Sequence, residues 1–228
     1  MSFGRGFKKT IDMISLIIPV FNEEETLPEL FRRLSLLETQ IGPYEIIFID
    51  DGSKDHTSAI IEEEIRQRGT NNTIKLLTFV RNFGHQVALS AGLDHADGDA
   101  IVIIDADLQD PPELIVEFIQ KWQEGTMIVY GVRRKRKEGL WKRCAYSGFY
   151  RLMNILADID IPLDAGDFCL MDRRVVEVIR FMPERNRFLR GLRAWTGFSS
   201  LSIEYDRPMR FAGEPKYTIR KSIHLAMD

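Results

Sequence analysis

The sequence predicts an α/β fold, a mostly parallel sheet flanked by helices, on three observations. Strand-like apolar runs begin near Ile14, Tyr44, Ile74, Ala100 and Met127, spaced 26 to 30 residues apart. Helical patterns lie between them, which is the alternation of βαβ units. The runs are unbroken, as in Ile46-Ile47-Phe48-Ile49 and Ala100-Ile101-Val102-Ile103-Ile104, and unbroken apolar strands fit a sheet covered on both faces.

Taken in order, the chain opens with a polar, basic arm over residues 1–13 that has no apolar signal-peptide core. A strand from Ile14 closes on Pro19-Val20-Phe21-Asn22-Glu23-Glu24, and Asn22 is expected to cap the helix carrying Leu27, Leu30, Phe31, Leu34 and Leu37 on one face. The strand ending at Ile49 runs into the acidic turn Asp50-Asp51-Gly52-Ser53, followed by a helix with Ile60, Ile61 and Ile65. The third strand leads into Arg81-Asn82-Phe83-Gly84-His85-Gln86, which brings His85 near whatever lies at the strand ends. The fourth runs into Asp105-Ala106-Asp107-Leu108-Gln109-Asp110, then Pro111-Pro112 and a helix with Leu114, Ile115, Phe118, Ile119 and Trp122.

After Gly131 the pattern changes. Arg133 to Lys137, with Lys142 and Arg143, gives seven positive charges against Glu138 alone, ahead of an amphipathic helix from Leu140 to Leu156. A short strand over Phe168–Met171 follows, then helical patterns over Val175–Phe181 and Phe188–Trp195. Alternation at Leu201, Ile203 and Tyr205 predicts a half-exposed strand, and Ile219, Ile223 and Met227 recur at helical spacing.

The 228 residues suffice for one substantial domain, and 44% apolar with 29% charged residues is an ordinary globular balance. A net charge of −3 argues against a general nucleic-acid binder. Cys144 and Cys169 have no metal-ligand or CxxC spacing and read as reduced thiols. No apolar run exceeds about seven residues, against ~20 for a membrane span.

Function is legible at the strand ends, because ligands of open α/β sheets bind outside the carboxyl ends of their strands. Asp105 and Asp107, with Gln109 nearby, are the donor set for Mg²⁺ or Mn²⁺, which bind through one or two carboxylates plus substrate phosphates. Asp50 and Asp51 could accept from a base imide or a ribose hydroxyl. The same residues are also ordinary turn and cap chemistry. The basic run suits a solvated face, a phosphate or an anionic membrane surface. Asp167, before a short strand, is either a turn residue or a general base.

In their order, Pro19-Val20-Phe21-Asn22-Glu23, Asp50-Asp51-Gly52-Ser53, Arg81-Asn82-Phe83-Gly84 and Asp105 to Pro112 resemble family 2 glycosyltransferases. Within them they are most similar to the polyisoprenyl-phosphate enzymes of the dolichol-phosphate mannose synthase and bactoprenol glucosyltransferase types. Gly131-Val132-Arg133, Gly166-Asp167-Phe168 and Arg210 to Tyr217 favour the bactoprenol branch.

The resemblance implies a GT-A, Rossmann-like domain over residues 14–215. Residues 14–131 would form its nucleotide-binding half and residues 132–215 its acceptor half. Residues 216–228 would be an amphipathic juxtamembrane helix leading toward transmembrane segments. It further implies that Pro19, Phe21, Asn22, Glu23, Asp50, Asp51, Arg81 and Asp105 face the nucleotide sugar, and that Asp105, Asp107 and Gln109 hold Mg²⁺ or Mn²⁺. Asp107, Arg133, Arg143 and Asp167 would be the catalytic group, the two arginines on the acceptor phosphate.

The expected reaction is inverting transfer of a hexose, glucose from UDP-glucose in first place, to undecaprenyl phosphate at the cytoplasmic face of the inner membrane. GDP-mannose as donor, a sugar or protein acceptor served by Asp167 as base, and a non-catalytic nucleotide-binding scaffold are the alternatives. Oligomeric state is left open, a homo-oligomer included.

Overall fold

The computed structural model of the chain describes residues 11–68, 73–134, 165–184 and 187–208. Seven strands form one sheet: β1 (Ile14–Val20), β2 (Tyr44–Asp50), β3 (Thr73–Thr78), β4 (Ala100–Ile103), β5 (Ile128–Arg133), β6 (Ala165–Asp172) and β7 (Ser200–Tyr205), in the order β3-β2-β1-β4-β6-β5-β7. β1, β2, β3 and β4 pair in parallel, as do β5 and β7, while β6 runs antiparallel between β4 and β5. The sheet is mostly parallel, as the strand spacing predicts.

Both faces of the sheet are covered. Along β1, Ile14, Leu16 and Ile18 enter one apolar cluster with Phe31, Phe48, Phe118 and Trp122, while Ile17 enters the other with Ile49, Leu89, Ile103 and Val176. This is the two-residue alternation of a strand buried at every position but Pro19. The first cluster takes the apolar stripes of α1 (Leu27–Ser35), α3 (Thr57–Arg68) and α5 (Leu114–Gln123). The second takes α4 (His85–His95), α6 (Arg173–Phe181) and α7 (Leu189–Trp195). A four-residue α2 (Glu38–Ile41) precedes β2.

Two expectations change and a third is refined. Asn22 does not cap α1: that helix starts at Leu27, and the Asn22 backbone is left-handed, with φ 51°. Its carboxamide accepts instead from Lys54 N–H at 2.8 Å, across the neighbouring turn. The short strand expected at Phe168–Met171 is the longer β6, because Val132 of β5 pairs with Ala165 beyond an irregularity after Tyr130. In β7, Ile203 and Tyr205 are buried while Leu201 is exposed, so the half-exposed pattern holds with its apolar weight toward the carboxyl end. The helix expected over Leu140–Leu156 and the segment from 216 to 228 lie outside the described residues.

This topology gathers the site. The carboxyl ends of the parallel strands share one edge, and antiparallel β6 brings its amino end to it. Ile103 pairs with Cys169, so two residues onward Asp105 leaves β4 beside Asp167 on β6.

Candidate active site

Three loops are stitched together at this edge. Asn22 N–H donates to Ser53 Oγ at 2.9 Å, Glu23 N–H to Thr57 Oγ1 at 2.8 Å, and Glu24 accepts from His56 N–H at 2.9 Å. The loop after β1 is thereby fixed on the turn after β2. Glu23 also accepts from Thr26 Oγ1 at 2.7 Å, and Pro19 pairs with Ile49 inside the sheet.

The two carboxylates of the first acidic turn differ. Asp50 is 1% exposed, accepts Ser53 N–H at 2.8 Å and takes the Ser58 hydroxyl on its other oxygen. Both of these bonds close the turn. Asp51 accepts Phe83 N–H at 2.7 Å and Gly84 N–H at 3.0 Å, which ties down the loop after β3. Burial raises its pKa, with the Asp50 charge adding to it, against the two N–H donors and His85. A carboxylate can accept more bonds than these two, so Asp51 still has room for a ligand. Arg81 lies exposed on the same loop, its guanidinium 4.0 Å from the centre of the Phe83 ring.

At the second acidic turn, β4 ends and the backbone turns. Leu108 takes a left-handed φ of 58°, an uncommon state for a bulky residue, and its side chain is buried. Asp107 accepts Gln109 N–H at 3.0 Å, which tightens the turn. Burial, with the charges of Asp110, Asp167 and Asp107 added, pushes the Asp105 pKa up to about 6 against the opposing pull of His85. Such a concentration of carboxylates at one strand end suits a divalent cation. Among the described residues no three His, Cys, Asp or Glu side chains form a metal cage. Two carboxylates and an amide are nonetheless what Mg²⁺ or Mn²⁺ uses when substrate phosphates complete its shell. The donor set fits on those terms.

Basic side chains complete the edge. Arg133, the last residue of β5, lies 3.6 Å from Asp110 and donates from Nε to the Tyr205 hydroxyl at 3.4 Å. Asp167 is gripped by Arg190 from α7 through two bonds of 2.8 Å, and His85 Nε2 stands 3.3 Å from the same carboxylate and 3.7 Å from Asp105. Burial works to raise the Asp167 pKa, but the bonds from Arg190 and His85 outweigh it and hold the carboxyl well below the usual range. Burial pulls the His85 pKa down, and the Asp167 bond with the two nearby carboxylates lifts it above the ordinary value.

The structure thus brings Asp105, Asp107, Gln109, Arg133 and Asp167 to one edge with the Asn22–Glu23, Asp51 and Arg81 loops. Arg143 lies outside the described residues. Arg190 and Tyr205 were not legible as site residues. Neither stands in an acidic or basic turn, and only α7 folding back on β6, and the pairing of β5 with β7, deliver them.

Comparison with known proteins shows the family and the fold. Residues 15–180 match the family model Glycosyl transferase family 2. The chain is 44% identical over 218 residues to the prophage bactoprenol glucosyl transferase homolog of Escherichia coli, covering 94% of this chain and 70% of that one. To the Uncharacterized glycosyltransferase YkcC of Bacillus subtilis it is 48% identical over 216 residues, covering 94% and 66%. It therefore spans about two thirds of the length of such relatives. Among solved structures, the mannosyltransferase from Pyrobaculum calidifontis in complex with GDP-Man and Mn²⁺ superposes with a TM-score of 0.60 at 17% identity, over 90% of this chain and 62% of that one. Glucosyl-3-phosphoglycerate synthase from Mycobacterium tuberculosis, in complex with Mn²⁺, UDP and phosphoglyceric acid, gives 0.56 at 21% identity, over 89% and 72%. At these identities the likeness is one of fold, and the fold is the GT-A type expected.

Proposed function

The chain belongs to glycosyl transferase family 2, and on that premise we propose that it moves a hexose, glucose foremost, from a UDP-sugar to a polyisoprenyl phosphate. The observation that carries this reading is the Arg133 guanidinium 3.6 Å from Asp110, in the same loop as Asp105 and Asp107. A site for one phosphate then adjoins a site for another. The naming of relatives at 44% identity as bactoprenol glucosyl transferases supports the lipid acceptor and the sugar.

In this reading Asp51 accepts from the nucleoside, backed by the Asn22–Glu23 loop and Arg81, while Asp50 holds the turn. Asp105, Asp107 and Gln109 would hold Mg²⁺ or Mn²⁺, which when bound supplies Lewis-acid neutralisation of the diphosphate leaving group. Arg133, with Arg143 as its expected companion, orients the acceptor phosphate. An acceptor oxygen bonds to the anomeric carbon as the bond from that carbon to the nucleoside diphosphate breaks, from opposite faces, with inversion.

No protein base is required. A phosphate monoester has a second pKa near ~6 and is largely dianionic at neutral pH. Asp167, held ionised between Arg190 and His85, serves as an anchor. Such an acceptor places the enzyme at a membrane, on the cytoplasmic side where nucleotide sugars are made. No helix among the described residues is long and apolar enough to cross one.

The test is transfer from UDP-glucose, UDP-galactose or GDP-mannose, with Mn²⁺, to undecaprenyl phosphate in detergent, with the product identified by mass spectrometry. Glucosyl-phospholipid formed from UDP-glucose supports the reading. Product from GDP-mannose alone moves the assignment to a mannose synthase, and no product from any donor that binds sinks the lipid acceptor.

A further inference from the structure

The motif Gly131-Val132-Arg133 has an arginine with an assigned task and a glycine without one. The packing around Tyr205 supplies the missing reason. Tyr205 is 5% exposed, and a Cβ on Gly131 would stand 2.7 Å from its Cε1 and 3.3 Å from its Cδ1. The ring therefore lies directly on the Gly131 backbone, where only glycine leaves room. Its other contact is the edge of Phe168, centroid to centroid 6.1 Å at 87°, and Phe168 is itself buried against Phe118 at 4.7 Å.

A ring clamped in this way delivers its hydroxyl to one place. There the hydroxyl donates to Asp110 and accepts from Arg133 Nε–H at 3.4 Å, while Arg133 Nη2 stands 3.6 Å from the same Asp110 oxygen. Arg133 and Tyr205 are also register partners across β5 and β7. The long arginine side chain, 36% exposed, is thus held at two of its nitrogens by buried groups from two other elements. The turn carrying Asp105 and Asp107 shares the anchor, since Asp110 closes it.

We propose that Tyr205, seated on Gly131 and bonded to Asp110, is a positioning residue that aims the Arg133 guanidinium at the acceptor phosphate. A free arginine must lose rotamer freedom on binding an anion. An arginine already aimed loses less, which strengthens acceptor binding more than donor binding. The proposal rests on the acceptor role given to Arg133 above and extends it to the residues behind it.

Tyr205→Phe removes the hydroxyl and keeps the ring on Gly131. The expected result is a KM for undecaprenyl phosphate raised about tenfold, the scale of one bond to a charged group. The donor Kd and kcat should change far less than that KM, while the melting temperature should drop by a few degrees because the buried Asp110 carboxylate loses a bond. In an Arg133→Ala background, Tyr205→Phe should have no further effect on that KM, because coupled residues are non-additive. Equal effects in both backgrounds, or an unchanged KM, would overturn the proposal. A second measurement is independent of turnover: ¹⁵N relaxation of the Arg133 Nε–H signal, assigned through Arg133→Lys. It should report an ordered group in wild type and a mobile one in Tyr205→Phe, and equal order in both overturns the aiming. A wild-type protein that transfers nothing to the lipid, yet loses Arg133 order on Tyr205→Phe, would sink the acceptor reading and keep the positioning.

Discussion

Arg190 holds Asp167 by both carboxylate oxygens, Nε to Oδ1 and Nη2 to Oδ2 at 2.8 Å each. A bidentate arginine pair is among the stronger protein hydrogen-bonded contacts, and His85 adds a third hold at 3.3 Å. The carboxylate is thereby stabilised in its charged form, its pKa held well below the ordinary range. A good general base has a pKa near the working pH, and this group is far from that.

Asp167→Asn should therefore retain transfer within roughly tenfold of wild type, against the 10²–10⁴-fold loss typical of removing a general base. Initial rates across pH 6 to 9, with circular dichroism to confirm folding, check this. A folded Asp167→Asn protein with a thousandfold loss would restore Asp167 as the proton acceptor.

Asp105 behaves in the opposite sense. Its folded pKa is raised to about 6, above the ~3.9 of an unfolded aspartate. Between those values the folded state holds the extra proton, so stability falls as pH rises through the window. In metal-free protein, Asp105→Asn should thus raise Tm by a few degrees at pH 7.5 and change it little near pH 4. The same proton competes with a cation for the carboxylate, so metal-supported donor binding should weaken below pH 6. Thermal unfolding at both pH values decides the first part, and calorimetric titration at pH 5.5 and 7.5 the second.

The contrast between these two aspartates shows what a sequence gives up and what it withholds. The strands that end in Asp50 and Val20, and the apolar run before Asp105, are local patterns, so their positions and the shared edge are legible. Periodicity reports which face a residue occupies and is silent on its partner. Tyr205 and Asp110 stand 95 positions apart, and Arg190 reaches Asp167 from another element. Asn22 misled for a related reason: its cap-forming chemistry is real, but the acceptor is spent on Lys54, 32 residues away. The sequence pattern for β6 is short because Gly166-Asp167 is turn chemistry, which pairing with β5 overrides.

Gly52 is where the second and third loops touch. Its φ is +75°, and a Cβ there would stand 2.6 Å from the carbonyl carbon of Arg81 and 2.9 Å from Asn82 N. Gly42 has nearly the same φ, +77°, with nothing within 4 Å. Both alanine variants incur positive-φ strain of about 1–3 kcal/mol, and only Gly52→Ala adds a backbone collision. Urea unfolding should show Gly52→Ala destabilised by at least about 2 kcal/mol, and clearly more than Gly42→Ala. Donor affinity should drop with it, because the collision pushes Phe83 and Gly84 away from Asp51. Equal destabilisation in the two variants would mean the loops relax freely and do not define the nucleoside end of the site.

The metal set predicts how cation and donor depend on each other. In the proposed site Asp105 and Asp107 would supply two carboxylates, and among the described residues no third His, Cys, Asp or Glu completes a cage. A hard cation so held keeps most of its ligands as water until phosphates arrive. Mn²⁺ alone should therefore bind weakly, and its affinity should rise at least tenfold in the presence of UDP. By linkage, UDP should gain from Mn²⁺ the same factor that Mn²⁺ gains from UDP. Paramagnetic relaxation of water by Mn²⁺ reads the first quantity, and calorimetry of UDP with Mn²⁺ or EDTA reads the second. Asp107→Ala should abolish the coupling while leaving weak, metal-independent UDP binding through Asp51. Tight Mn²⁺ binding without UDP, unchanged in Asp107→Ala, would place the cation elsewhere in the molecule.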